Sequence, residues 1–143
     1  MRKLLLFLVI LLSAALAACG GESSSEAAGT QLADLHDFPA EVQKAPVSVQ
    51  QAYQFAVANT DLIQSIPCYC GCGAMGHTSN YSCYVSGENQ DGSLRFDEHA
   101  LGCSICVDIT LDAMRLQKEG KSIPDIRQYI DDTYAPYGPS NMP

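Results

Sequence analysis

The chain has 143 residues, with 8 Lys and Arg against 16 Asp and Glu, and a formal net charge of −8 at pH 7. Its basic residues form no cluster beyond an N-terminal pair, so nucleic acid is not expected as a partner. The length is that of one small domain, in which cross-links or bound metal contribute strongly to stability. Seven cysteines are many for such a chain, and they indicate where its chemistry lies.

The N-terminal segment is typical of a bacterial lipoprotein signal. Residues 1–18 begin with Arg2 and Lys3, continue as an apolar run and end in small residues directly before Cys19. The run is short for a membrane-spanning helix, which takes about 20 residues. We therefore expect cleavage before Cys19, lipidation of its thiol with acyl chains such as palmitate, and anchoring at the extracytoplasmic face of the cell membrane. The alternative is an uncleaved anchor helix.

Residues 19–46 are predicted to form a lipid-anchored tether and an arm. The tether, residues 20–29, consists largely of Gly, Ser, Ala and Glu and cannot bury itself. The arm, residues 30–46, contains four apolar residues that predict packing on the domain: Leu32, Leu35, Phe38 and Val42. His36 in this arm is interpreted as a surface histidine.

Residues 47–143 are predicted to form a mainly α domain, with three to four helices around an irregular cysteine-bearing loop and a short β-hairpin. Ser48 is expected to cap a first helix with its apolar side chains at helical spacing: Val49, Ala52, Tyr53, Ala56 and Val57. Residues 59–61 interrupt this helix, and Pro67 ends the following turn. In the hairpin, residues 81–85 are expected to pair with residues 93–97.

Two further helices are predicted after the hairpin. The first carries an apolar stripe, which is Ile105, Ile109, Ala113 and Leu116, widened by Val107, Leu111 and Met114. Gly120 is expected to end it, and Ser122 to cap the next helix before Pro136 stops it. The buried face predicted for that second helix consists of Ile126, Tyr129, Ile130, Thr133 and Tyr134.

The sequence PCYCGC at residues 67–72 places thiols at Cys68, Cys70 and Cys72. Alternate residues of an extended chain point to opposite sides, so these sulfurs converge only if the backbone curls, which its glycines permit. Neighbours two residues apart rarely meet the geometry of a disulfide, so each thiol needs a distant partner or an ion. Three more thiols follow, and we expect all six to form one spatial cluster: Cys68, Cys70, Cys72, Cys83, Cys103 and Cys106.

Cys103 and Cys106 lie at a predicted helix start, where free amides and the helix dipole lower the pKa of a thiol. His99 precedes Cys103 by four residues and is a candidate nitrogen ligand. His77 follows the PCYCGC loop and is a second one. Met75 is a candidate thioether ligand, or alternatively an ordinary loop methionine.

Three fates are open to the six thiols. Outside the cytoplasm they can pair as three disulfides, with no cofactor. Alternatively four of them can bind tetrahedral zinc, or all six can bind copper(I), which accepts two or three soft thiolates per ion. The residues themselves leave these alternatives open.

The domain resembles the bacterial lipoproteins that are named for the PCYCGC motif. The likeness covers roughly residues 48–137 and rests on the motif together with Gly76, His77, Cys83, His99 and the pair Cys103 and Cys106. It implies a lipoprotein with a cysteine-rich domain and says little about activity. Residues 103–138 also resemble the thiol reductase subunit of cytochrome c maturation, although Pro136 and four additional thiols depart from that pattern.

Our leading interpretation is a membrane-anchored metal-binding protein that stores, buffers or hands on copper(I), with the six cysteines, His77 and His99 as ligands. Its partners are then the membrane, through lipid on Cys19, the ion, and an extracytoplasmic metalloprotein or thiol protein. The first alternative is thiol-disulfide exchange catalysed by Cys103 and Cys106. The second is a disulfide-stapled module that binds another protein. The close spacing of Cys68, Cys70 and Cys72 favours metal, because exchange needs only one attacking and one resolving thiol.

Overall fold

The computed structural model of the protein describes residues 30–142. The predicted signal, Cys19 and the tether lie outside the described residues. Within the described range the fold is mainly α, as predicted, with these elements: α1 (Ala40–Gln43), α2 (Val47–Ala58), α3 (Thr60–Gln64), β1 (Val85–Glu88), β2 (Leu94–Phe96), α4 (His99–Gly102), α5 (Ser104–Lys118) and α6 (Ile123–Tyr134). Short 3-10 turns occur at Leu35–Asp37, Cys72–Met75, Tyr81–Cys83 and Ala135–Tyr137. No helix of residues 30–142 combines the length and apolar character needed to cross a membrane.

The core is built on α5, which packs against α2 on one side and α6 on the other. Each of these helices buries apolar side chains at helical spacing, which form its contact face. The apolar side chains of the three helices that have no measurable exposure are Ala52, Tyr53, Phe55, Ala56, Cys106, Ile109, Ala113 and Ile130. The break predicted after α2 is present, since the helix ends at Ala58 and α3 begins at Thr60.

The predicted arm packs on α2. Phe38 and Val42 are 4% and 2% exposed, and the Phe38 ring lies 6.2 Å from Tyr53 and 5.0 Å from Phe96 between ring centroids. A backbone hydrogen bond of 3.1 Å from Ala33 to Gln54 holds the arm along the helix. Leu32 remains 40% exposed and Leu35 is half-buried, so two of the four apolar side chains predicted to pack on the domain are fully buried. His36 is exposed, as expected.

The start of α2 differs from the prediction. Ser48 is exposed and does not cap the helix, which begins at Val47 with Pro46 at the N-cap. Proline already supplies an extended residue before the first turn, so the helix starts one position earlier than the serine suggests. Phe55 is fully buried although it lies outside the predicted stripe, because α2 has the arm on one side and α5 on the other.

The hairpin is present with a shorter pairing than predicted. Val85 pairs with Phe96 and Glu88 with Leu94, with an irregularity after Val85. The predicted pairing of residues 81–84 is wrong, because Tyr81–Cys83 forms a 3-10 turn instead. The turn places the Cys83 side chain in the interior, where a flat strand would have alternated its side chains between core and solvent.

The two C-terminal helices end and begin as predicted. Gly120 has a left-handed backbone with φ of +78°, and the Lys121 amide donates to the Leu116 carbonyl at 3.0 Å, which closes α5. The Ser122 hydroxyl accepts from the Asp125 amide at the start of α6. The contacts confirm both caps.

The buried face of α6 is narrower than predicted. Ile126, Ile130 and Tyr134 are buried, but Tyr129 and Thr133 are exposed. Since α6 packs mainly on one helix, α5, only a stripe at four-residue spacing is covered. Tyr129 instead lies on the surface beneath the guanidinium of Arg115, 5.3 Å from its ring centroid.

A buried polar network lies beneath the cysteine-bearing loop. The Asn80 side-chain amide donates to the Thr110 hydroxyl at 2.6 Å, and that hydroxyl lies 2.6 Å from the Tyr84 hydroxyl. The Tyr84 hydroxyl donates in turn to the backbone carbonyl of Cys106 at 2.8 Å. Asn80, Thr110 and Tyr84 have no measurable exposure, so these bonds take the place of bonds to water, although the Asn80 side-chain oxygen has no partner among the described residues.

We expect Thr110→Val to lower the free energy of unfolding by about 1–3 kcal/mol, because the buried Asn80 amide then lacks its acceptor. The measurement is chemical denaturation of the reduced, metal-free chain. Thr133→Val is the matched control, since Thr133 is exposed on α6 and its replacement should change stability by less than about 0.5 kcal/mol. Equal effects of the two substitutions would contradict a structural role for the network.

Candidate metal centre

The backbone of the PCYCGC loop curls at Gly71. That residue has a left-handed φ of +84°, and the 3-10 turn Cys72–Met75 follows directly. The reversal brings Cys68 and Cys72 to the same side of the chain, where they are 0% and 1% exposed. A residue with a Cβ would strain the backbone at Gly71, so the glycine is needed for the sulfurs to converge.

The other cysteines reach the same place from separate elements. Cys83 ends the 3-10 turn before β1, Cys103 is the N-cap of α5, and Cys106 lies in the first turn of that helix. Helix α4, which carries His99 at its first position, leads directly into Cys103. The structure thus brings together all six cysteines that the sequence analysis groups into one cluster.

Five of the sulfurs form a continuous chain of contacts. The successive Sγ–Sγ distances are 3.4 Å from Cys70 to Cys68, 3.3 Å from Cys68 to Cys106, 3.3 Å from Cys106 to Cys83 and 3.8 Å from Cys83 to Cys72. Cys106 also lies 3.5 Å from Cys70, so it contacts three other sulfurs. All six cysteines of residues 30–142 are free, because these distances far exceed the roughly 2.05 Å of a disulfide bond.

The ligand atoms divide into two sets, in each of which every atom lies within 4.8 Å of every other. The outer set consists of Cys70, His99, Cys103 and Cys106. The inner set consists of Cys68, Cys72 and Cys83. Sulfurs around a tetrahedral zinc ion lie about 3.8 Å apart, so this spacing fits coordination of a metal ion. Clustered Cys and His residues in this protein can therefore hold metal.

Both candidate imidazoles contact the cluster. The Nε2 atom of His99 lies 3.4 Å from Cys70 Sγ, and the Nδ1 atom of His77 lies 3.5 Å from Cys83 Sγ. The two rings meet edge to face with centroids 5.2 Å apart. Asp97, which the sequence analysis does not single out, lies 3.6 Å from His77 Nε2. A carboxylate behind an imidazole fixes its orientation and raises its basicity as a ligand.

Met75 does not share this environment. Its side chain is 63% exposed on the 3-10 turn that follows Cys72. A thioether ligand of a buried cluster would be covered by the other donors. The structure therefore favours the loop methionine over the ligand among the two alternatives for Met75.

The thiols share protons unequally. Cys68 accepts side-chain hydrogen bonds from Cys106 and Cys83, and these bonds lower its pKa, with Cys106 having the larger effect, because thiol groups stabilise the thiolate that they surround. The hydrogen bond to Cys68 raises the pKa of Cys106, since Cys106 donates the proton in it. Burial raises the pKa of Cys70 and Cys72. The prediction of a lowered pKa at the helix start is thus wrong for Cys106, where thiol contacts and burial outweigh the dipole.

A C-terminal residue clamps the loop. The Asn141 side-chain oxygen accepts from the Cys68 amide at 2.7 Å, and its side-chain amide donates to the Ser79 carbonyl at 3.1 Å and lies 3.6 Å from Cys72 Sγ. Gly138 lets the tail approach, because a Cβ there would lie 2.7 Å from the Tyr69 carbonyl oxygen. The tail reads as a polar coil, so no local pattern in the sequence signals this contact.

Comparison with known proteins places the chain in a family. A family model described as "Protein of unknown function with PCYCGC motif" matches residues 8–143. The chain belongs to this family. The description of the PCYCGC-motif family states no activity. No curated protein and no solved structure matches the chain. The likeness of residues 103–138 to a thiol reductase stays a prediction.

We expect Asn141→Ala to free the PCYCGC loop and expose its buried thiols. In the reduced, metal-free chain, alkylation of Cys68 and Cys72 should become several-fold faster, and stability should fall by about 1–2 kcal/mol through loss of the side-chain bonds. Mass spectrometry of timed samples identifies the modified cysteines. Pro139→Ala, at an exposed neighbouring position, is the control. Unchanged alkylation rates in Asn141→Ala would show that the tail does not hold the loop.

Proposed function

We propose that this protein is a membrane-anchored, extracytoplasmic lipoprotein that binds copper(I) through its cysteine cluster and stores, buffers or transfers the ion. The observation that carries the proposal is the cluster of six free cysteines, five of which have sulfurs in continuous contact, with Cys106 contacting three others at 3.3–3.5 Å. Two imidazoles border this set.

Metal binding explains why so many free thiols lie close together in the interior of the protein. Four of the six cysteines are at most 1% exposed, which leaves their thiols little access for exchange with large partners: Cys68, Cys72, Cys83 and Cys106. Uncompensated thiolates in such a place are costly, because burial of charge disfavours the ionised form. Cations bound among the sulfurs would remove that cost and supply the attraction that holds the thiolates together.

The donor set favours copper(I) over zinc. Six of the eight candidate ligand atoms are sulfur, the ligand type preferred by soft ions. Structural zinc sites are closed, with four ligands for each ion. The outer set offers four ligands, but the inner set contains only three thiols, and the Cys106 sulfur of the outer set lies 3.3 Å from two of them. Three thiolates complete the coordination of copper(I), and a shared sulfur suits a cluster of several such ions.

Copper(I) uptake should be steeply dependent on pH. Because burial and thiol contacts raise the pKa of Cys70, Cys72 and Cys106, these groups hold protons at neutral pH that the ion must displace. The apparent affinity should thus rise with pH, by about tenfold per unit for each proton released. The measurement is competition of the reduced full chain, purified in detergent without oxygen, against a copper(I) chelator at pH 6, 7 and 8.

The same samples decide between metals. Copper(I) should displace zinc from the zinc-loaded chain, and zinc should not displace copper(I). No copper(I) uptake by the fully reduced chain, or retention of zinc against copper(I), would contradict the proposed function.

Thiol-disulfide exchange is the second candidate, because Cys103 is half-buried at the N-cap of α5 while Cys106 is buried within 4.8 Å of it. This arrangement offers one accessible and one resolving thiol. Cys70→Ser separates the two functions. It should weaken copper(I) binding by removing a soft ligand, whereas a reductase based on Cys103 and Cys106 would keep its rate of exchange with a model disulfide.

The membrane anchor has a separate test. Cys19→Ala should release the chain from the membrane fraction or block its processing, because the lipid-accepting thiol is lost. Fractionation of cells and the mass of the mature N-terminus are the measurements. Ala18→Gly keeps a small residue before the cysteine and should leave anchoring intact. Normal cleavage with unchanged membrane retention in Cys19→Ala would contradict lipidation.

A further inference from the structure

We infer that the cluster binds two copper(I) ions that exchange at different rates, a retained ion in the inner set and an exchangeable ion in the outer set. The inference rests on the proposed function and adds a division of labour within the site. It follows from three properties of the two sets: their donor number, their exposure and their attachment to the rest of the fold.

The donor number provides for one ion in each set. The three sulfurs of the inner set lie within 4.8 Å of one another, as do the three sulfurs and one nitrogen of the outer set. Three soft donors are enough for one copper(I) ion. Cys106 belongs to the outer set and lies 3.3 Å from both Cys68 and Cys83 of the inner set. Its thiolate can therefore bridge the two ions and share its charge between them.

The exposure of the sets differs. All three sulfurs of the inner set are buried, with Cys68 and Cys83 at 0% and Cys72 at 1% exposure. In the outer set, Cys70, Cys103 and His99 are only half-buried. Cys103 also lines a surface cavity of about 280 Å³ between the start of α2 and the start of α5. An incoming ligand can thus reach the outer set while the fold stays closed.

The inner set is held more firmly as well. Asn141 binds the backbone of Cys68 and lies against the sulfur of Cys72. Cys83 lies 3.5 Å from His77, whose other nitrogen is 3.6 Å from Asp97. Release of an inner ion therefore requires the tail and loop to separate or the outer ion to leave first, and local opening of this kind is slow compared with ligand exchange at a surface.

The acceptor for the outer ion is then a protein or small molecule that offers thiolate or thioether donors. In the exchange step a thiol of the acceptor binds the ion as the bond from Cys103 to the ion breaks. The proton released by the acceptor thiol passes to the Cys103 thiolate. The ion stays copper(I), so the step requires no oxidant or reductant.

The test uses the full reduced chain, purified in detergent, loaded with excess copper(I) without oxygen and freed of unbound ion. Rapid mixing with a large excess of bathocuproine disulfonate reports copper(I) release by absorbance. We expect two phases of about one equivalent each, with rates that differ by at least about tenfold. Metal analysis before mixing should give two ions per chain.

Variants assign the phases. Cys103→Ser should accelerate the fast phase or reduce its amplitude, because the outer ion loses one thiolate, and should leave the slowly released equivalent unchanged. Cys72→Ser should accelerate the slow phase or reduce its amplitude, because the inner ion keeps only two thiolates of its set. Ser104→Ala, at the exposed position next to Cys103, is the matched control and should keep both phases.

The outcomes separate the inference from the proposed function. Release in one phase, or any stoichiometry other than two ions, overturns the inference while copper(I) binding stands. Loss of both phases in Cys103→Ser also overturns it, provided that the circular dichroism of the variant is that of the wild type. The wild-type trace decides by itself if that variant does not fold. Absence of copper(I) uptake by the wild type overturns both.

Discussion

The burial of Cys106 in the first turn of α5 is the constraint on which the cluster and the core both depend. Its sulfur contacts three other sulfurs, and its carbonyl accepts the hydroxyl of Tyr84. The same helix packs against α2 and α6. Displacement of this turn would therefore disturb the thiol contacts, the buried polar network and the helix packing together. Cys106 is thus supported directly by the core, whereas the three cysteines of residues 68–72 lie on the PCYCGC loop that Asn141 holds.

This coupling would make metal binding and folding one process. Burial raises the pKa of Cys70 and Cys72 because it disfavours the charged thiolate, so without an ion the cluster keeps most of its protons. A bound ion would replace the protons and link three segments of the chain, residues 68–72, 77–83 and 99–106. Metal that binds only the folded chain stabilises it by mass action. A small domain with a modest core gains proportionately more from such a link than a large one does.

Local patterns in the sequence predict much of this structure. The two caps around Gly120 and Ser122 depend on neighbouring residues, so their positions follow from local chemistry. The six clustered thiols are recognisable because cysteine is rare and the PCYCGC spacing is unusual. The roles of Asn141 and Asp97 depend on contacts across the fold, and nothing near them in sequence indicates those contacts. The predicted pairing of residues 81–84 is wrong for the same reason. Cys83 is buried against side chains from other segments, including Cys72 and Cys106.

The position of Asn141 has a consequence for how the protein matures. It lies C-terminal to all six cysteines of the cluster, yet it holds the first of them, Cys68, through its backbone amide. A chain that is synthesised from its N-terminus presents every thiol before this clamp can close. During that interval the thiols are open to oxidants and to metal ions alike. Under the proposed function, the inner sulfurs would take up metal most easily in this nascent period, and docking of the tail afterwards would enclose the bound ion.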